Sequence, residues 1–211
     1  IALPDKYDMR GKITTRKGDN LDVLTIMKDY CRKLDKCSLQ DLIDLQMELT
    51  GESFYKISLQ AGYSEMVRAD ENTFIAEKYV NFDVAGIDSA LELFVTGEYL
   101  PIKSITTFAL FPHCGQPWNL FLLESYCRRF SQKFRFDVLA FNSKNAGAII
   151  RKSCRMPYIK IMADAVAKSG IPLEKSVVQE FLYTNGFTGK RNCARIDELI
   201  EQAKNIRRRG S

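Results

Sequence analysis

From residue 22 to residue 34 the apolar side chains Leu24, Met27, Cys31 and Leu34 recur at i, i+3, i+7 and i+10, the stripe of a helix that buries one face. Ser38 stands where a cap would open a second helix with Leu42, Leu45 and Leu49 inside, and Gly51 stands where it would close. A third helical run covers 53–65. The period then drops to two, and segments 66–69 and 73–80 around Asp70-Glu71-Asn72 predict a hairpin. Ile87, Leu91 and Phe94 stripe a further helix ending at Gly97, 99–102 is a short extended piece, and 106–111 reads as a short helix stopped by Pro112. Pro117 takes the first position of a long helix, 118–132, with Leu120, Leu123, Cys127 and Phe130 on one face. Segments 134–141 and 148–152 flank the turn 142–147 as a second hairpin. Beyond Pro157 the pattern is helical throughout, over 161–168, 173–183 and 194–207, the last with Ile196, Leu199, Ile200 and Ala203 on one side.

The fold class is therefore mainly α with small β-hairpins (α+β). Helices followed by a hairpin occur twice, and over about residues 20–155 this order resembles the winged-helix superfamily. The resemblance implies two winged-helix-like units in tandem, 21–82 and 83–156, between a basic amino-terminal arm, 1–20, and a helical carboxyl-terminal subdomain, 157–211. For the second unit, residues 117–152, it also implies that the helix before the hairpin faces the major groove while the hairpin reaches phosphates or the neighbouring minor groove.

Composition places the chain among ordinary globular proteins: 211 residues, 45% hydrophobic and 27% charged. No apolar run reaches the roughly 20 residues of a membrane span, and the amino terminus has no signal-peptide pattern, so a soluble cytoplasmic protein is expected. The six scattered cysteines are expected to be reduced thiols. A start at Ile1 and an end at Gly210-Ser211 suggest a fragment with a cloning scar.

Charge changes the picture more. Residues 1–100 carry 12 Lys+Arg against 18 Asp+Glu, a net −6, whereas 101–211 carry 19 against 8, a net +11. Residues 125–160 alone hold nine basic side chains and the single acid Asp137. Such asymmetry points to a polyanionic partner, duplex DNA foremost. The candidate contacts are Arg128, Arg129 and Lys133 on the long helix, then Asn142, Lys144, Asn145, Arg151 and Lys152 on the hairpin. Lys and Arg neutralise phosphates, while Asn and Arg also pair with base edges. Solvation of an exposed helix end, favoured by the helix dipole, is the alternative reading of Arg128 to Lys133, though nine basic side chains against one acid exceed what solvation needs. The apolar first half of the long helix, with Trp118 and Phe121, is expected to meet the core or a protein partner. The first hairpin's acidic tip suits protein contact. Arg10, Lys12, Arg16 and Lys17 form an arm able to enter a minor groove or simply to remain solvated.

Gly186-Phe187-Thr188-Gly189, followed by Lys190-Arg191, resembles the GxxG loop that clamps backbone in KH domains. A helix cap at Gly186 accounts for the same glycine, leaving Lys190 and Arg191 as candidate phosphate contacts. The string 97–104 has the outer spacing of a Walker A loop, but Pro101 removes an amide donor and Ile102 replaces the glycine before Lys103. One histidine, His113, and no CxxC pair leave zinc and cofactor chemistry without ligands, and no catalytic constellation is present. The expectation is a non-catalytic nucleic-acid-binding protein. The alternative is an interaction or scaffold module docking an acidic partner or self-associating through its oppositely charged halves.

Overall fold

The computed structural model describes residues 6–10, 13–18, 22–52, 55–141 and 144–210. Among them are eight α-helices and eight short strands, the latter forming one two-stranded and two three-stranded antiparallel sheets. The class is mixed α+β. None of these helices is long and apolar enough to cross a membrane.

The chain opens on β1 (Tyr7–Arg10) paired with β2 (Ile13–Arg16), so part of the expected arm is a hairpin; Lys12 lies outside the described residues. Helix α1 (Val23–Cys31) precedes β3 (Lys36–Ser38), α2 (Leu39–Thr50), α3 (Tyr55–Glu65), β4 (Val67–Arg68) and β5 (Thr73–Ile75). Ser38 caps α2 through a capping box: its hydroxyl accepts from the Asp41 amide while the Asp41 carboxylate accepts from the Ser38 amide. Gly51 closes the helix at φ +74°, a left-handed conformation that glycine adopts without a Cβ penalty. The sequence pattern did not anticipate β3, because three residues are too few to show a period of two. Its Lys36 and Ser38 pair with Ile75 and Thr73. The predicted second hairpin arm, 73–80, ends as a strand at Ile75 and turns into a 3₁₀ helix at Glu77–Tyr79.

Helix α4 (Val84–Phe94) is followed by β6 (Tyr99–Pro101), a 3₁₀ turn (Ile102–Ser104), α5 (Leu120–Arg129), β7 (Phe134–Asp137) and β8 (Ala148–Arg151). Residues 106–111 form no helix. The long helix is shorter than its hydrophobic stripe predicts and starts after Pro117, the expected first position: Asn119 caps it, its Oδ1 accepting from the amides of Phe121 and Leu122 at 2.9 and 3.0 Å. In each three-stranded sheet the last strand in sequence lies between the other two, in the orders β3-β5-β4 and β6-β8-β7. Helices α6 (Tyr158–Ser169), α7 (Lys175–Thr184) and α8 (Ile196–Gly210) complete the chain.

Contacts divide the chain into two units. One comprises 1–81, 114–125 and 141–143; the other comprises 82–113, 126–140 and 144–211, so the three carboxyl-terminal helices share a unit with the second hairpin. The first unit's core joins Met27 and Cys31 of α1, Leu42 of α2, Leu59 of α3 and Phe74 of β5. The second unit's core joins Ala148 and Ile150 of β8 to Ile161, Met162 and Val166 of α6, Val178 and Leu182 of α7, and Leu199 and Ala203 of α8. Burying these faces is what fixes the short strands, which could not persist alone.

Candidate nucleic-acid interface

The second unit carries 19 Lys+Arg against 11 Asp+Glu, a net +8. Its hairpin pairs Phe134 with Arg151 through to Asp137 with Ala148. Beyond that register the tip is drawn onto the loop after α7. The Gly147 amide donates to the Gly186 carbonyl at 2.9 Å, and the Ile102 amide donates to the Gly147 carbonyl at 3.1 Å. Gly147 has no room for a side chain, since a Cβ there would meet the Phe136 ring and lie 2.6 Å from the Asp137 carbonyl oxygen.

The loop after α7 is a Schellman ending. The Phe187 amide donates to the Leu182 carbonyl, the Gly186 amide to the Tyr183 carbonyl, and Gly186 has φ +78°. The first glycine of the GxxG string is thus a helix cap. The aliphatic part of Lys103 lies against it, with Cδ only 2.8 Å from where a Cβ on Gly186 would stand. Three segments therefore meet at one end of the unit, and each brings an exposed lysine: Lys103, Lys144 and Lys190. Asn145 and Thr188 are buried between them in sequence, and the Thr188 hydroxyl has no hydrogen-bond partner among the described residues. Lys144 and Lys190 were legible as loop cations. Lys103 was met only in a degenerate phosphate-loop string, because nothing local in the sequence announces a long-range packing against Gly186.

Several other expected contacts are bonded within the protein. Arg151 donates Nη2 to the Val95 carbonyl at 2.6 Å and Nε to the Gly97 carbonyl at 2.9 Å, closing the end of α4, and its guanidinium faces the Phe134 ring. Lys152 Nζ donates to the Ser131 carbonyl at 2.7 Å, and Lys133 Nζ pairs with Glu92 at 2.9 Å. Arg128 and Arg129 are half-buried, over the Phe136 and Phe130 rings. Arg191 pairs with Glu180 at 2.6 Å and stands over Tyr183; the pairing holds the Glu180 carboxyl below its ordinary range. Asn142 lies outside the described residues. Periodicity shows which side of a helix is apolar but not which carbonyls a long arginine reaches.

Trp118 and Phe121 are half-buried. Phe121 lies 4.4 Å beneath the guanidinium of Arg68, a fully buried arginine that also donates to the Tyr63 hydroxyl at 3.0 Å. Helix α5 has only buried or half-buried positions along its whole length, and α3 exposes only Lys56 among residues 56–65. Neither helix presents the open polar face of a groove-reading helix.

All six cysteines are buried free thiols, and burial pushes Cys31 up to about 11 and Cys37 up to about 12. Among the described residues no group of three or more His, Cys, Asp or Glu side chains converges to hold a metal ion. Comparison of the chain with protein-family models, with curated proteins and with solved structures gave no match.

Proposed function

We propose that the chain is a non-catalytic nucleic-acid-binding module whose partner is duplex DNA, held at the hairpin end of the second unit by Lys103, Lys144 and Lys190. The observation that carries this reading is the Gly147 to Gly186 hydrogen bond, which joins two basic loops in a unit of net charge +8. The element order supports a tandem winged-helix architecture. Each set runs helix, strand, helix or 3₁₀ turn, helix, then two strands, with the last strand central in its sheet. Because α3 and α5 are covered, the contact falls to the hairpin tip and its neighbouring loops, which suits phosphate binding and little base readout.

The test is fluorescence anisotropy of a labelled random duplex across a salt series, with wild type and the Lys103→Ala, Lys144→Ala, Lys190→Ala triple variant. For duplex DNA each phosphate neutralised contributes about 0.9 to the slope of log K against log salt, so the triple variant is expected to flatten it by about 2.7. No binding at low salt overturns the reading.

A second reading, a protein-docking module, has one observation in its favour. Leu93 and Leu110 of the second unit are 66% and 57% exposed, and the nearby aromatics Phe94, Phe108 and Phe111 form a cluster with centroid distances of 5.3 and 5.9 Å. Concentration-dependent sedimentation that disappears in Leu93→Ser, Leu110→Ser would favour it.

A further inference from the structure

The second unit has another cationic recess, away in sequence from the hairpin tip. A groove of about 290 Å³ between the start of α6 and the last turns of α8 is lined by Pro157, Lys160, Gln202, Asn205, Ile206 and Arg209. Its lining contains two cations, two carboxamides, two apolar side chains and no carboxylate. The recess is held by packing rather than by a loop: Ile161, Met162 and Val166 of α6 share one core with Leu199, Ile200 and Ala203 of α8. Arg207 fastens the same two helices by donating to the carbonyls of Val166, Ala167 and Ile171 at 2.8 to 3.1 Å.

The two lining cations are set apart from most of their neighbours by what they lack. Along α6, α7 and α8 the acids are taken: Asp164 by Lys168, Glu180 by Arg191, Asp197 by Lys175, Glu198 by Arg195 and Glu201 by Lys204. Lys160 and Arg209 are exposed and have no carboxylate partner among the described residues. Two cations facing one recess repel unless an anion lies between them. Asn205 is exposed on the same rim, and Gln202, whose Nε2 donates to Glu198, also lines the groove. An Arg fork, an ammonium and amide donors over a small apolar floor are the groups that recognise a phosphoryl oxygen cluster. The volume stands at the lower edge of ligand pockets, about 300 to 1,000 Å³, which suits a phosphodiester and its flanking carbon atoms.

We infer that this groove seats a backbone phosphate of the bound nucleic acid, giving the second unit a contact separate from the hairpin tip. The inference rests on the nucleic-acid reading above. It is tested by the same salt series with Lys160→Gln, Arg209→Gln, whose melting temperature reports its fold, and by thermal shifts in inorganic phosphate. The expected result is a slope lower by about 1.8 than wild type, additive with the hairpin-tip variant. A wild-type slope in a folded Lys160→Gln, Arg209→Gln protein that still binds duplex overturns the groove and leaves the hairpin-tip reading standing. Absence of duplex binding by wild type overturns both. A thermal shift in millimolar inorganic phosphate that the double variant loses, with the duplex slope unchanged, assigns the groove to free phosphate and overturns the backbone assignment.

Discussion

Asp88 of α4 accepts a 2.8 Å hydrogen bond from the Tyr126 hydroxyl of α5, at a site where Asp88 is 2% exposed. The same carboxylate accepts from Ser131 Oγ at 2.6 Å and from the amides of Gln132 and Lys133 at 2.9 and 3.0 Å. One buried acid thereby fixes the turn that carries α5 into β7, and burial, with the bond to Asp88 next, pushes the Tyr126 hydroxyl above its ordinary range. Asp88→Ala would strand several buried donors at once and is expected to cost about 3 kcal/mol or more, against about 1 kcal/mol for Tyr126→Phe. Urea unfolding of the two variants measures the difference; equal losses would show that the carboxylate is not the hub.

Arg151 separates structural from phosphate-binding cations. Arg151→Ala is expected to lower stability by about 2 kcal/mol, because the carbonyls of Val95 and Gly97 at the end of α4 lose their donor, while the salt slope of duplex binding stays at the wild-type value. Arg151→Lys is expected to restore little, since an ammonium cannot span the Val95 and Gly97 carbonyls as the guanidinium fork does. A flattened slope in folded Arg151→Ala would instead place this side chain at the nucleic acid.

Gly62 of α3 lies against the Phe74 ring, so closely that a Cβ would stand 2.7 to 3.0 Å from three ring carbons. Phe74 is fully buried in β5 and has nowhere to retreat. Gly62→Ala is therefore expected to destabilise by about 1 to 3 kcal/mol despite its better helix propensity. Thermal unfolding reads the sign directly.

The buried thiols make the first unit sensitive to alkali. Cys31 and Cys37 are raised to about 11 and about 12, with desolvation as the largest cause, whereas an unfolded thiol ionises near about 8.5. The folded state therefore holds protons that the unfolded state has released, and the stability they contribute is complete below that pH and lost as pH rises toward 11. The expected slope is about 1.4 kcal/mol per pH unit for each thiol. Cys31→Ala, Cys37→Ala should lose most of this dependence between pH 9 and 10.5. Ellman's reagent should find no rapidly reacting thiol in the native protein and all six after unfolding.

Thr188 offers the opposite sign. Its buried hydroxyl has no hydrogen-bond partner among the described residues, so Thr188→Val removes a desolvated polar group at nearly constant shape. A stability gain of about 1 kcal/mol is expected in urea unfolding. A loss of similar size would mean that a partner for the hydroxyl forms in solution.

Local chemistry was readable from the sequence wherever a few adjacent residues decide the outcome. Ser38 and Gly51 mark the ends of α2, Gly186 ends α7, and the apolar stripes locate α1, α2, α4 and the three carboxyl-terminal helices, since caps and faces depend on residues within one or two turns. The concentration of positive charge in the carboxyl half was equally plain from composition. Tertiary structure decided the rest. Strand β3 exists because Cys37 pairs with Phe74, and residues 106–111 leave the helical state where Phe111 packs on Phe94 and Phe108. Most of all, the fold chose which cations remain available. Arg151, Lys152 and Lys133 are spent on carbonyls and on Glu92, while Lys103 is carried to the hairpin tip and Lys160 to Arg209. A long flexible side chain reaches whichever acceptor the backbone brings within range, and that distance is set by contacts between residues far apart in the chain.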